Sequence, residues 1–342
     1  MIRNTAIFRS LLGLLSFFNR RHHLVAASRL RNVRSSLLFL ILLFAIPAQA
    51  AQTDIPGPAG SVRFGTQVEV LPNGNFVVSD PFYDVPGGQY NTVGAVYLYD
   101  GATLKLISTL TGDSPGDQVG GGGITVLANG NYVVSSSGWH RPVGGGAVTW
   151  CSATTGCNGV ISASNSLIGG TGYDEVGRTV TALTNGNYVV SSPFWNNPAA
   201  PLSQVGAVTW GNGSGGTVGL VTSSNSLIGG TAGDRVGLYC SGNSSSVMDL
   251  TNGNYIVRSQ FWDNPSPVKT DVGAVTWGNG AGGTVGLISS SNSLIGGTAN
   301  DFVGGGIMRL YRFSLQRRRD DFEQRQLCSQ QSRLGQSVWA NS

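Results

Sequence analysis

The 342-residue sequence predicts an all-β fold: four-stranded antiparallel repeats stacked side by side as part of a β-propeller, with a β-solenoid as the alternative. Three observations predict it. One phrase occurs four times, as LPNGNFVVSDPFY, LANGNYVVSSSGW, LTNGNYVVSSPFW and LTNGNYIVRSQFW, with NGN triplets beginning at Asn73, Asn129, Asn185 and Asn252. Two other phrases keep step: a GAV run beginning at Gly94, Gly146, Gly206 and Gly273, and a turn carrying Asp117, Asp174, Asp234 and Asp301. Nothing in the repeats shows the 3.6-residue period of a helix.

The third unit serves for all. TVTAL is a short β-branched strand. Asn-Gly then predicts a tight hairpin turn of type I′, with positive φ at both central positions. YVVSS is the return strand, placing Tyr188 and Val190 on one face and Val189 on the other. Pro193 cannot donate to a ladder, so the strand ends there. A variable loop, NNPAAPLSQV, leads to a third strand, GAVTW; GNGSGGTVG turns the chain, and GLVTSSNSLIG supplies a fourth strand. Such a meander is too thin to bury either face alone, and copies stacked on it would do so. Trp150, Trp210 and Trp277, with Tyr188 and Tyr255, are expected to fill the gaps between units. Solenoid coils are usually shorter than this repeat, which favours the propeller.

Composition fits and narrows the class. Glycine is abundant, at 51 residues, and charged residues are only 11%, yet 40% of the chain is apolar, so this is not a disordered composition. The formal net charge of +4 misleads. Only 7 of the 21 basic residues lie in 51–304, against 14 of the 17 acidic ones, a balance of about −7 for the repeat region. A nucleic-acid partner needs a basic face, and the repeats offer none.

Residues 1–50 read as a secretory signal with a long basic first part: RNVRSS, then the apolar run Leu37 to Ile46, then Pro47-Ala48-Gln49-Ala50 as a small-x-small cleavage site. The run is short for a membrane span of about 20 residues. Membrane contact is expected only through this segment, if it stays uncleaved as an anchor. The expected location is outside the cytoplasm: extracellular, on the cell surface, or in the periplasm. Export permits disulfides. WCSATTGCNG aligns without gaps on WGNGSGGTVG, so Cys151 and Cys157 both fall in one hairpin's turn region, where a bridge would pin the two arms. Two free thiols are the alternative. Cys-x5-Cys has no second ligand pair or nearby histidine, which argues against a metal.

These residues carry a resemblance. The GDxVG turn, the V-x-L-x-NGN-x-VV strand pair and GAVYLYDG resemble the FG-GAP blades of integrin-α-type propellers. The variant with NGNYVVSSPFW and GAVTW is similar to a repeat of unknown function found in large bacterial surface and adhesin-like proteins. The resemblance covers about residues 60–304 and implies a repeat architecture without implying any activity. FG-GAP blades often carry calcium in Asp-x-Asp-x-Asp-Gly loops. This sequence has no such loop, so no cofactor is expected. Asp117, Asp174, Asp234 and Asp301 match only the turn aspartate, and their expected role is structural, accepting turn N–H bonds.

After Asp301-Phe302-Val303-Gly304 the pattern stops, and 305–342 is arginine-rich and without strand alternation. One reading is a helical or charged tail. The other comes from the genetic code. Gln324 to Ser329 can be encoded CAA CGG CAA TTA TGT AGT; with a C following, translation one base later gives NGNYVV. With permitted codons, Arg318 to Leu334 becomes GGMTLSNGNYVVSNPDW. The tail is therefore read as a frameshifted remnant of a fifth repeat. The domain expectation is a signal over 1–50, a repeat array of about four blades over 51–304, and this irregular tail over 305–342. An unclosed array is expected to leave an apolar face exposed.

Catalytic chemistry is sparse. His140 is the one histidine after the signal, and its repeat mates are Asn196 and Asp263. Serines without a usable base, glycine runs without a phosphate-loop lysine, and carboxylates confined to repeat-equivalent turns give no recognisable enzyme. The expected function is a non-enzymatic surface or secreted interaction module. Its contact surface would be the variable loops DVPGGQYNT, NNPAAPLSQ and DNPSPVKTD, with a protein or glycan as partner; Trp139, Trp195 and Trp262 are candidate loop contacts for a sugar, and packing between blades is the use preferred for them. A passive spacer without ligand, or a non-functional fragment of a larger surface protein, are the alternatives.

Overall fold

The computed structural model describes residues 52–88, 92–139, 145–238 and 245–305. The signal segment 1–50, His140, Cys240, Cys328 and the tail beyond Gly305 lie outside the described residues. All described strands belong to the compact unit that begins at Ile55.

Four repeats succeed one another. Repeat 1 holds β1 (Gln67–Val70), β2 (Phe76–Asp80), β3 (Ala95–Tyr99) and β4 (Leu106–Thr111). Repeat 2 holds β5 (Gly123–Val126), β6 (Tyr132–Ser136), β7 (Ala147–Cys151), β8 (Gly159–Val160) and β9 (Ser166–Ile168). Repeat 3 holds β10 (Thr179–Ala182), β11 (Tyr188–Ser192), β12 (Ala207–Gly211), β13 (Gly219–Leu220) and β14 (Ser226–Ile228). Repeat 4 holds β15 (Val247–Asp249), β16 (Tyr255–Ser259), a small hairpin of β17 (Asn264–Pro265) and β18 (Val268–Lys269), then β19 (Ala274–Gly278), β20 (Gly286–Leu287) and β21 (Ser293–Ile295). Described residues contain no helix. Each repeat contributes an antiparallel four-stranded meander.

Each meander is sandwiched between its neighbours, and alternation along the strands decides which core a side chain enters. In β11, Tyr188 and Val190 pack toward repeat 2 with Leu127, Val133 and Leu167. Val189 points the other way and joins Leu183, Val208, Tyr255 and Trp262 in the core shared with repeat 4. A matching core lies between repeats 1 and 2. The first strands β1, β5, β10 and β15 neighbour one another along one side of the stack. On the opposite side, β4, β9 and β14 are each reached by a strand of the next repeat. No strand pairing among the described residues joins repeat 4 back to repeat 1.

Two local expectations are corrected. The GLVTSSNSLIG segment is not one fourth strand. Its first part, Gly219–Leu220, forms β13, which pairs parallel with β9 of the preceding repeat (Gly219 with Leu167, Leu220 with Ile168). Only Ser226–Ile228 returns to its own meander. Repeats 2 and 4 do the same, with β8 on β4 and β20 on β14. An Asx turn reverses the chain between the two pieces: Thr222 N donates to Asn225 Oδ1 (2.8 Å), and Asn225 Nδ2 donates to Leu220 O (2.8 Å).

The NGN hairpin is not a type I′ turn. Gly74 N donates to Leu71 O (2.9 Å) and Leu71 N to Asn75 O (2.8 Å), so the loop has three residues. Gly74 has φ of +90° while Asn73 is not in the left-handed region. This is a type I turn closed by a left-handed glycine, which spares asparagine a positive φ and lets proline sit second, as Pro72 does.

Candidate interaction surface

A meander puts its first turn and its third-to-fourth connection at one end of the sheet, and its second-to-third loop at the other. The two ends of this array are built differently.

The first end is a clasp. Asn185 Nδ2 (2.8 Å), Asn187 Nδ2 (2.9 Å) and Trp210 Nε1 (2.9 Å), all of repeat 3, donate to one carbonyl, Gly280 O of repeat 4. Asn129, Asn131 and Trp150 of repeat 2 donate in the same way to Gly213 O of repeat 3. Asn73 and Asn75 donate to Ala153 O of repeat 2. At Gly213 a Cβ would lie 1.7 Å from Gly186 O, so the approach of the two backbones in repeat 3 is one that glycine permits. The second asparagine of each triplet also accepts an N–H from the third-to-fourth connection of its own repeat, as Gly213 N to Asn187 Oδ1 (3.0 Å) shows. The recurrence of NGN is thus explained by the joint between repeats.

The disulfide sits at this end. Cys151, the last residue of β7, is joined to Cys157, just before β8. The bridge ties the start of the connection that holds Ala153 to the start of the segment that docks on repeat 1.

The opposite end carries the variable loops on a repeated base. Thr92 N donates to Asp84 Oδ1 (2.6 Å), Gln204 N to Asn196 Oδ1 (2.9 Å), and Asp271 N to Asp263 Oδ1 (2.6 Å). Each bond spans eight residues and closes the neck of one loop. Thr92, Gln204 and Asp271 all have positive φ, at 27°, 50° and 50°. Their carbonyls accept N–H bonds from Gln118, Arg235 and Phe302, the left-handed residues of the next GDxVG turns. Above these necks the loops differ: residues 196–204 are closed by a reciprocal Asn197–Leu202 backbone pair, and 263–271 contain the β17–β18 hairpin.

The repeat aspartates anchor the same end. Gly170 N and Thr171 N donate to Asp174 Oδ2 (2.9 and 2.8 Å), and Asn196 N donates to Oδ1 (3.0 Å). Asp234 repeats the arrangement with Gly230 N, Thr231 N and Asp263 N. Asp117 accepts from Asp113 N and Ser114 N, and Asp301 from Gly297 N and Thr298 N. Asp117, Asp174 and Asp234 are fully buried, and Asp301 is exposed. Burial pushes the Asp234 carboxyl up to about 7, with the charge of Asp263 adding to it and the N–H bonds opposing it. Each carboxylate accepts N–H groups of its own turn, and Asp174 and Asp234 also hold the first residue of the next repeat's variable loop. Among the described residues no three His, Cys, Asp or Glu side chains gather as a metal cluster would.

Of the two uses open to the loop tryptophans, the structure shows packing and not a sugar platform. Trp139, Trp195 and Trp262 are only 3%, 1% and 1% exposed. Each folds back from the end of its second strand into the core between sheets, with Trp195 against Val190 and Val205 in one core and Trp262 in the next. A ring so buried offers no platform to a sugar. An aromatic–cation group lies nearby, and no strand periodicity in the sequence marks it. Arg178 and Arg235 lie over the Phe194 ring at 5.1 and 5.8 Å, and Arg63 lies over Phe82 at 4.3 Å. The recurring Pro-Phe dipeptide was the available signal for it.

Comparison with known proteins agrees with this anatomy. A family model described as a repeat of unknown function (DUF5650) matches four times in tandem, over residues 70–121, 126–178, 182–238 and 249–305. No curated protein matches the chain.

Proposed function

The chain belongs to this family of repeats of unknown function (DUF5650), and from that premise we propose that it is an exported, non-enzymatic interaction module whose contact surface is the end of the stack that carries the variable loops. The observation that carries the reading is the contrast between necks and tips. The necks at 84–92, 196–204 and 263–271 are held by one repeated hydrogen bond, while the residues between differ in sequence, and those of 196–204 and 263–271 also in conformation. A rigid scaffold presenting variable loops is a common way to build a binding surface. The Cys151–Cys157 bridge supports an oxidising compartment and hence export. The resemblance to FG-GAP blades and to adhesin-like surface proteins supports a protein or glycan on a cell surface as the partner.

The test is a glycan and surface-protein array probed with the full chain and with a variant whose 197–203 and 264–270 segments are exchanged. Binding that tracks the exchanged loops supports the module. Binding that ignores them, or none at all, supports the second reading, a passive spacer. That reading is favoured by one observation: the three loop tryptophans are spent on packing.

A further inference from the structure

We propose that the outer face of repeat 4 is a docking site for one further repeat of this family, which would enter through its Asn-Gly-x-Gly-Gly-Thr-Val-Gly segment. The site is a sheet face, distinct from the variable-loop end.

The argument starts from the joint between repeats 3 and 4. On repeat 3, Leu183, Val189, Val208 and Leu227 are 0–1% exposed because repeat 4 covers them. The covering repeat contributes its connecting segment, Asn279–Leu287. Gly280 O enters the clasp of Asn185, Asn187 and Trp210; Gly283 presses on the Trp210 side chain; β20 adds to the edge of β14. Repeat 2 receives the segment Asn212–Leu220 of repeat 3 in the same manner, with Gly216 against Trp150.

Repeat 4 carries the receiving half of this joint again. Its equivalents, 67 residues on, are Leu250, Ile256, Val275 and Leu294, with Trp277 and the asparagine pair Asn252 and Asn254. Here the face is open: Trp277 is 54% exposed and Leu294 75%, where Leu227 is 1%. Among the described residues β21 is an edge strand, while β14, its counterpart, is paired on both sides. An apolar face beside an unpaired strand edge is a template for strand addition. The two joints inside this chain define what fits it.

A second copy of this chain does not supply the segment. Those of repeats 2, 3 and 4 are already committed within the stack or lie in its interior joints. In repeat 1 the connection from β3 to β4 is the short Asp100–Lys105, with no docking strand. The outer side of repeat 1 is closed by its own aromatic cluster: Phe64, Phe76, Tyr83, Tyr97 and Tyr99. The stack is therefore capped on one side and receptive on the other.

The experiment titrates the full chain with a synthetic peptide of the sequence Asn212–Val221 (NGSGGTVGLV) by calorimetry and tryptophan fluorescence. Saturable one-to-one binding is expected, with a blue shift as Trp277 leaves water. Trp277→Ala should remove the shift and weaken binding at least tenfold, and Leu294→Asp should weaken it similarly. Both positions are exposed, so both variants should fold, which circular dichroism checks. A peptide with valine in place of Gly216 should fail to bind, because a side chain there meets the tryptophan. No binding at millimolar peptide, or binding indifferent to both substitutions, overturns the proposal. A concentration-dependent dimer that Leu294→Asp dissociates also overturns it and assigns the face to a second copy.

Discussion

Asn185 and Asn252 sit in the same local sequence, LTNGNY, and in the same turn. They differ in whether another repeat packs against them. Asn185 accepts the Asn187 N–H (3.0 Å) and also donates across the joint to Gly253 O (3.0 Å) and Gly280 O (2.8 Å). Among the described residues Asn252 makes the local bond alone, accepting from Asn254 N (3.1 Å). Replacing each by alanine removes the local bond in both, so that contribution cancels. What remains for Asn185→Ala is a pair of inter-repeat bonds, each with a net worth of about 1 kcal/mol. Gly280 O keeps Asn187 and Trp210 as donors and is not orphaned, which holds the loss to the lower end. Asn185→Ala should therefore destabilise the protein by about 1 kcal/mol more than Asn252→Ala. With a urea m-value of about 3 kcal/mol/M, that is a midpoint lower by about 0.3 M. Hydrogen exchange should also quicken in repeat 4, since each repeat is held by its neighbour. Two variants with superimposable urea curves would refute the view that the triplet recurs to join repeats.

Three further outcomes are expected. Cys151→Ser, or reduction of the wild type, should lower stability by about 2 kcal/mol, the chain-entropy value for so short a loop, read from urea midpoints with and without reductant. Gly211→Ala should cost about 1–3 kcal/mol, because the new Cβ would lie 2.1 Å from the buried Tyr188 ring; thermal melts would show it, and an unchanged melting temperature would contradict the packing described. The Asp234 carboxyl is raised from 3.8 to about 7 by folding, so between those values the folded state holds a proton that the unfolded chain has released. Stability should fall as pH rises through that window, and Asp234→Asn, though less stable overall, should flatten the slope in urea midpoints measured from pH 4 to 7.

Much of this architecture is legible in the residues alone. The alternation of YVVSS tells which side of the sheet Tyr188 and Val189 take, because a strand's period of two needs no partner to define it. Pro193 and the NG pairs locate strand ends and turns for equally local reasons. The turn type is not legible, because a three-residue loop and a two-residue loop share the Asn-Gly signal, and only the pairing of Leu71 with Asn75 separates them. β13 is not legible either, because two residues carry no periodicity, and their partner lies about fifty residues away in another repeat.

By itself, then, the sequence determined the number of repeats, the meander within each, and the face each side chain takes, since these arise from backbone periodicity and turn chemistry within a few residues. The tertiary structure decided what the recurring groups are for. It turned Trp139, Trp195 and Trp262 inward and gave the NGN asparagines a carbonyl in the next repeat. It also left Trp277 and Leu294 uncovered. Those outcomes depend on which surfaces meet across dozens of residues, and burial and hydrogen-bond partners exist only once the sheets are stacked.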